Sequence, residues 1–167
     1  MEKMMTAAVS FSRNLSVANL IGRLIGSTAV SLDAALYRFN NPELAGALAD
    51  AARRGVSIRL VLDRGKYQQD PLTQHLLKAG AIPFRLLAGR PGTESKMHHK
   101  FAILDSRTAV TGSYNWTLES EEKNYENLVI LHDLEQLEAY RREFELLWEE
   151  ARAADAGLPA APFQKAC

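Results

Sequence analysis

The chain has 167 residues, 47% of them apolar, and its 20 Lys and Arg are matched by 20 Asp and Glu. That size buries one proper core, so a single domain over residues 1–150 is expected, with a loosely ordered Ala- and Pro-rich tail over 151–167. No apolar run approaches the ~20 residues that cross a bilayer, which excludes stable insertion by a spanning helix, and zero net charge excludes a uniformly basic surface.

In chain order, Lys3 precedes only the short apolar piece Ala7-Ala8-Val9, too brief for an intact secretory signal. Location therefore stays open: cytoplasmic as the sequence stands, periplasmic or secreted if a leader was removed. Residues 7–11 form a candidate strand and 17–25 have helical spacing. Residues 29–39 read as a strand, followed by Asn41 as a helix N-cap and Pro42 at the first helical position. That helix runs to about Arg54 and stops at Gly55. The continuous apolar run 56–62 suits a buried central strand. Asp70-Pro71 opens another helix ending at Gly80, and 82–87 gives a further strand. The apolar run 101–104 and Val110 mark a hairpin with Ser106-Arg107 near its tip. Residues 127–131 form the last strand. Asp133 then caps a long helix whose apolar side carries Leu134, Leu137, Tyr140, Phe144, Leu147 and Trp148. This alternation implies an α/β fold with helices on both faces of a mixed sheet.

Chemistry concentrates around the hairpin. His98, Lys100, Asp105, Gly112, Ser113 and Asn115 follow the pattern H-x-K-x4-D-x6-G-S-x-N. Period-two alternation puts His98, Lys100 and Ala102 on one strand face, with His99 and Phe101 on the other. An imidazole and an ammonium side by side, with Ser113 and Asn115 returning nearby, make a pocket of donors suited to a phosphate. Asp105 closes its strand where Asp is common for turn chemistry alone, so a supporting role is expected of it. Gly112 is expected to allow a tight backbone approach behind a bound phosphate. His75 and His132 read as structural. Tyr114 and Trp116 could stack on bases, but their alternating positions suit core filling better. A metal site built on His98, His99, Asp105 and Glu126 is disfavoured because adjacent strand residues face opposite ways, and the one cysteine, Cys167, cannot form a thiolate zinc site within one chain.

The pattern resembles the phospholipase D superfamily, whose signature has the same His, Lys and Asp spacing followed by Gly-Ser-x-Asn. Residues 124–129 look like that family's downstream acidic segment, in which Glu126 would hydrogen-bond and orient His98; 37–43 and 54–63 look like the elements preceding the motif. The resemblance spans roughly 29–148. It implies an α-β-α sandwich with a mixed central sheet, and phosphodiester chemistry through a phosphohistidine, with neither metal nor cofactor. The catalytic set it implies is His98, Lys100, Asp105, Ser113, Asn115 and Glu126, with Lys100, Ser113, Asn115, Gly112 and Lys96 holding substrate. Larger members carry two motif copies; with one copy and no internal repeat, this chain is expected to act as a homodimer. Short single-motif bacterial members are typically endonucleases, so DNA or RNA is the expected substrate. A phospholipase D-type lipid phosphodiesterase is the alternative, and an inactive nucleic-acid-binding module a lesser one. Basic residues from Arg53 to Lys100 and the later Glu-rich stretches suggest a basic cleft with an acidic back, with Arg64, Lys66, Arg90 and Lys96 at the rim.

Overall fold

A computed structural model describes residues 7–90 and 95–156. Its centre is a seven-stranded sheet in the order β1-β7-β6-β5-β2-β3-β4. The strands are β1 (Ala7–Phe11), β2 (Ser31–Leu36), β3 (Ser57–Asp63), β4 (Phe84–Leu87), β5 (Lys100–Leu104), β6 (Thr108–Gly112) and β7 (Asn127–Leu131). β2, β3 and β4 pair in parallel, and every other pairing is antiparallel. The sheet is thus mixed, as the alternation implied.

The helices follow their local signals. α1 (Val17–Ser27) is capped by Ser16, and α2 (Pro42–Arg53) by Asn41, whose side chain accepts from the Glu43 and Leu44 amides. Gly55 follows α2 with φ +92°, a left-handed turn that glycine adopts without strain. α4 (Pro71–Ala79) is capped by Asp70 and α6 (Leu134–Asp155) by Asp133. Two short helices escaped the sequence reading: α3 (Arg64–Gln69) and α5 (Leu118–Glu122). Neither is long enough to display a 3.6-residue period.

Side-chain alternation divides the core into two layers. Leu32, Ala34, Leu36, Leu60, Leu62, Ala102 and Leu104 pack with α1, α2 and α4. Ala35, Val61, Phe101 and Ile103 meet Phe144, Leu147 and Ala151 of α6 on the opposite face. The result is an α-β-α sandwich. Three expectations need correction. The strand read over 29–39 is only β2, because the ladder ends after one further hydrogen bond at Tyr37 and the chain beyond turns to form the site. Leu134 is 81% exposed, since α6 meets the sheet only from Leu137 onward. Residues 151–155, expected in the loose tail, instead continue α6 with Ala151 fully buried, and residues 157–167, where the rest of that expectation falls, lie outside the described set.

The register fixes where function can gather. Leu36 pairs with both Leu62 and Lys100, Asp63 with Leu87, Gly112 with Leu128, and Phe11 with Asn127. The ends of β1, β2, β3, β4 and β6 and the starts of β5 and β7 therefore share one edge of the sheet. Crevices outside the carboxyl ends of parallel strands are where such sheets bind ligands.

Candidate active site

His98 lies two residues before β5 and Lys100 is that strand's first residue. Tyr37 N–H donates to the His99 carbonyl at 2.8 Å, extending the β2–β5 pairing past the strand ends. His98 and Lys100 consequently share a face, as alternation predicts. The Lys100 Nζ stands 3.3 Å from His98 Nδ1 and donates to the His98 carbonyl at 2.9 Å. The Tyr37 ring packs on the imidazole at 4.3 Å between centroids, with Lys100 Nζ 5.2 Å from the same ring. His99 turns the other way, as alternation predicts, to Phe101 and to Glu143 of α6 at 3.1 Å.

The second half of the motif is held by its own backbone. A Cβ on Gly112 would lie 2.2 Å from the Asn127 carbonyl oxygen, so only glycine lets β6 run this close to β7. The tight approach expected at Gly112 is real, but it is made to β7. Ser113 Oγ donates to Glu126 Oε2 and accepts from the Asn127 amide at 3.1 Å. Glu126, 8% exposed, also accepts from Asn124 Nδ2 at 3.1 Å. The Trp116 carbonyl accepts from the Asn40 and Asn41 amides, fastening the strand-like stretch 113–117 beside the chain leaving β2. Asn115 sits between buried Tyr114 and Trp116, its own Oδ1 buried without a hydrogen-bond partner among the described residues. Tyr114 and Trp116 are thus core residues, and base stacking on them is ruled out.

Charge at the site is uneven. Burial lowers the His98 pKa, and the Lys100 and Lys96 cations lower it further against the opposing pull of Asp63. Burial also lowers the Lys100 pKa, opposed by Glu126. Neutral imidazole is therefore favoured. Glu126 acts on Lys100 and grips Ser113, and its other carboxylate oxygen accepts from Asn124; the hydrogen bond expected from the His98 ring to Glu126 is not formed among the described residues.

Asp105 stands apart. It lies at the opposite end of β5, about 17 Å along the strand from Lys100. Its carboxylate accepts from the amides of Ala29 at 3.0 Å, Val30 at 2.7 Å and Ser31 at 3.0 Å. Counted with the catalytic set by resemblance, it is instead the clamp that starts β2. Ser106 and Arg107 lie at the hairpin tip as read, with Asp105 completing the turn: Asp105 and Ser106 both take positive φ, 50° and 54°, and Arg107 N donates to the Leu104 carbonyl. With His98 and His99 diverging and Asp105 remote, the four candidate metal ligands do not converge.

The basic cleft is narrower than expected. Arg59 pairs with Asp33 and Glu145, Arg85 with the Trp148 carbonyl, and Arg64 with the Leu86 carbonyl and Asp155. These guanidiniums complete the α6 side of the sheet, so Arg64 does not rim the site. Lys66, at 5.8 Å from the Tyr37 ring, exposed Lys96 and Lys100 do gather there. Next to them a recess of about 180 Å³ opens behind Tyr37, lined by Asp63, Lys66, Tyr67 and Thr73.

A histidine–lysine pair on one sheet edge, facing a Gly-Ser-x-Asn turn and a buried glutamate, defines a class. Residues 21–148 match the family described as "Cardiolipin synthase, PLD-like domain". The chain belongs to the phospholipase D superfamily. It is 36% identical over 132 residues to the mitochondrial cardiolipin hydrolase of Xenopus laevis, covering 78% of this chain and 60% of that protein. Against the human mitochondrial cardiolipin hydrolase it is 35% identical over 135 residues, covering 81% and 52%. The chain thus spans about half to three-fifths of the length of these relatives. Among solved structures it resembles Nuc, a phospholipase D family member from Salmonella typhimurium, with TM-score 0.76 and 27% identity over 86% of this chain and 93% of that one.

Proposed function

We propose that this chain is a metal-independent phosphodiesterase acting through a phosphohistidine at His98, most readily on DNA or RNA. The observation that carries the reading is the His98–Lys100 pair at the sheet edge where Glu126 acts on Lys100 and holds Ser113, with neutral imidazole favoured. Neutral His98 attacks phosphorus, the P–O bond to the leaving alkoxide breaks, and water then releases the phosphoryl group from nitrogen. Lys100 and Asn115 hold the non-bridging oxygens and offset charge in the transition state, joined by Ser113 once substrate draws its hydroxyl from Glu126. The leaving alkoxide needs a proton, which general acid catalysis supplies for about 10²–10⁴-fold in rate. One chain has one His98, so a homodimer provides the second imidazole as that acid.

Nucleic acid is favoured because His98 is exposed beside Lys66, Lys96 and Lys100, a cationic crest open to a polymer. A lipid reading is supported by a different observation. Phe11, 55% exposed, and Tyr125, 80% exposed with Arg13 over its ring at 4.4 Å, line a recess of about 240 Å³ that reaches Glu126. Aromatic rings with a cation beside them suit a headgroup boundary, and the relatives named above are cardiolipin hydrolases. No helix among the described residues is long and apolar enough to cross a membrane.

The deciding experiment measures cleavage of labelled single-stranded DNA, RNA and plasmid, and hydrolysis of cardiolipin vesicles, all in excess EDTA. His98→Asn should lose at least about 10³-fold in kcat while keeping its fold. Cutting of nucleic acid alone supports the nuclease; release from vesicles alone moves the proposal to the lipid. Equal turnover by both proteins would remove His98 as nucleophile. With the His98 pKa depressed, the acid limb of kcat/KM should fall below the ordinary histidine value of about 6.5.

A further inference from the structure

Asp63 closes β3 at the functional edge and is only 3% exposed. A carboxylate so buried requires partners. Its Oδ1 accepts from the Lys66 amide at 2.9 Å, capping α3, while its Oδ2 accepts from the Met97 amide at 2.9 Å. Met97 is the residue before His98, and its side chain is itself buried against Ala35, Val61 and Phe101. The stretch 97–99 is therefore tied at one end by Asp63 and at the other by the Tyr37 amide on the His99 carbonyl. His98 is the residue between the two ties. Capping alone would not call for this side chain, since Ser or Thr caps a helix without burying a charge. Two oxygens pointing to two different segments require a carboxylate.

We propose that Asp63 is a positioning residue for His98, bridging the first turn of α3 and the Met97 amide to fix the backbone from which the imidazole reaches phosphorus. The role rests on the reading of His98 as the nucleophile. A second effect follows from charge. The groups acting on His98 are Lys100 on β5, Lys96 and His99 in its own segment, and Asp63 from β3, with the Tyr37 ring against it from the end of β2. Among the described residues Asp63 is the one anion acting on His98, so its neutralisation leaves His98 facing cations.

The test is Asp63→Asn, read by kcat and KM on bis(p-nitrophenyl) phosphate and by an NMR pH titration of the His98 ring. A single amide oxygen cannot serve both donors. The expected result is a folded protein with kcat reduced about 10- to 100-fold, KM little changed and the His98 midpoint moved to lower pH. A folded variant with wild-type kcat and an unmoved midpoint overturns the proposal. Should the variant not fold, hydrogen exchange in the native protein decides: a Met97 amide as slow as its strand neighbours upholds the bridge, and one as fast as open loops refutes it. If the wild type cleaves no phosphodiester, the reading of His98 fails, while titration and exchange still judge the bridge.

Discussion

Single residues here separate chemistry from scaffolding within one motif. Asp105 belongs to the signature by spacing yet spends its carboxylate on three amides at the start of β2. Burial raises its pKa, but the backbone donors of Ala29, Ser31 and Val30 and the Arg107 charge outweigh that, and the pKa ends below the usual value. A depressed carboxylate pKa adds stability that is present above the unfolded value, about 3.9, and is lost as pH falls through the folded value. Asp105→Asn tolerates the same positive φ and keeps one acceptor, so it should cost about 1–2 kcal/mol in urea unfolding at pH 7. That difference should begin to shrink as pH falls below about 4 and close only below the depressed folded value, and the kcat of the folded variant should stay near wild type. A large loss of kcat with unchanged stability would return Asp105 to the reaction. Gly112 makes a sterner case, because any side chain there meets the Asn127 carbonyl. Gly112→Ala should separate β6 from β7, displace Ser113 and lower both Tm and activity.

At the scale of elements, α6 is amphipathic in sequence, but tertiary contact selects which apolar residues count. Phe144 is fully buried, stacked on Trp148 at 6.1 Å with the Arg59 guanidinium 4.9 Å from its ring. Phe144→Ala should destabilise by about 3–5 kcal/mol, through lost burial and the cavity left behind. Leu134→Ala, one helix turn before the contact begins, should fall within about 0.5 kcal/mol. Denaturant titration of the pair checks both, and a costly Leu134→Ala would mean that this end of α6 is covered in the working protein. The Arg59–Asp33–Glu145 network lies between α6 and the sheet, and the Arg59 hydrogen bond chiefly holds the Glu145 carboxyl below its usual pKa. It accounts for much of the positive charge that looked available for substrate.

For the whole molecule, the proposed two-step reaction demands two imidazoles where one chain supplies one. Specific activity should therefore fall on dilution in step with the dimer fraction seen by sedimentation. A monomer that retains full kcat would require another acid at the site. The sequence by itself determined the α/β alternation, most strand and helix positions, the two strand faces and the family. Periodicity, caps and motif spacing are local, and each was written into a short stretch of chain. Only the tertiary structure decided the rest. It placed Asp105 at the far edge, gave Glu126 to Ser113 and drew Arg59, Arg64 and Arg85 away from the cleft. It also set Asp63 against Met97, 34 residues away. Such pairings depend on strand order and register, which join distant segments at one sheet edge and leave no mark in the spacing of neighbours.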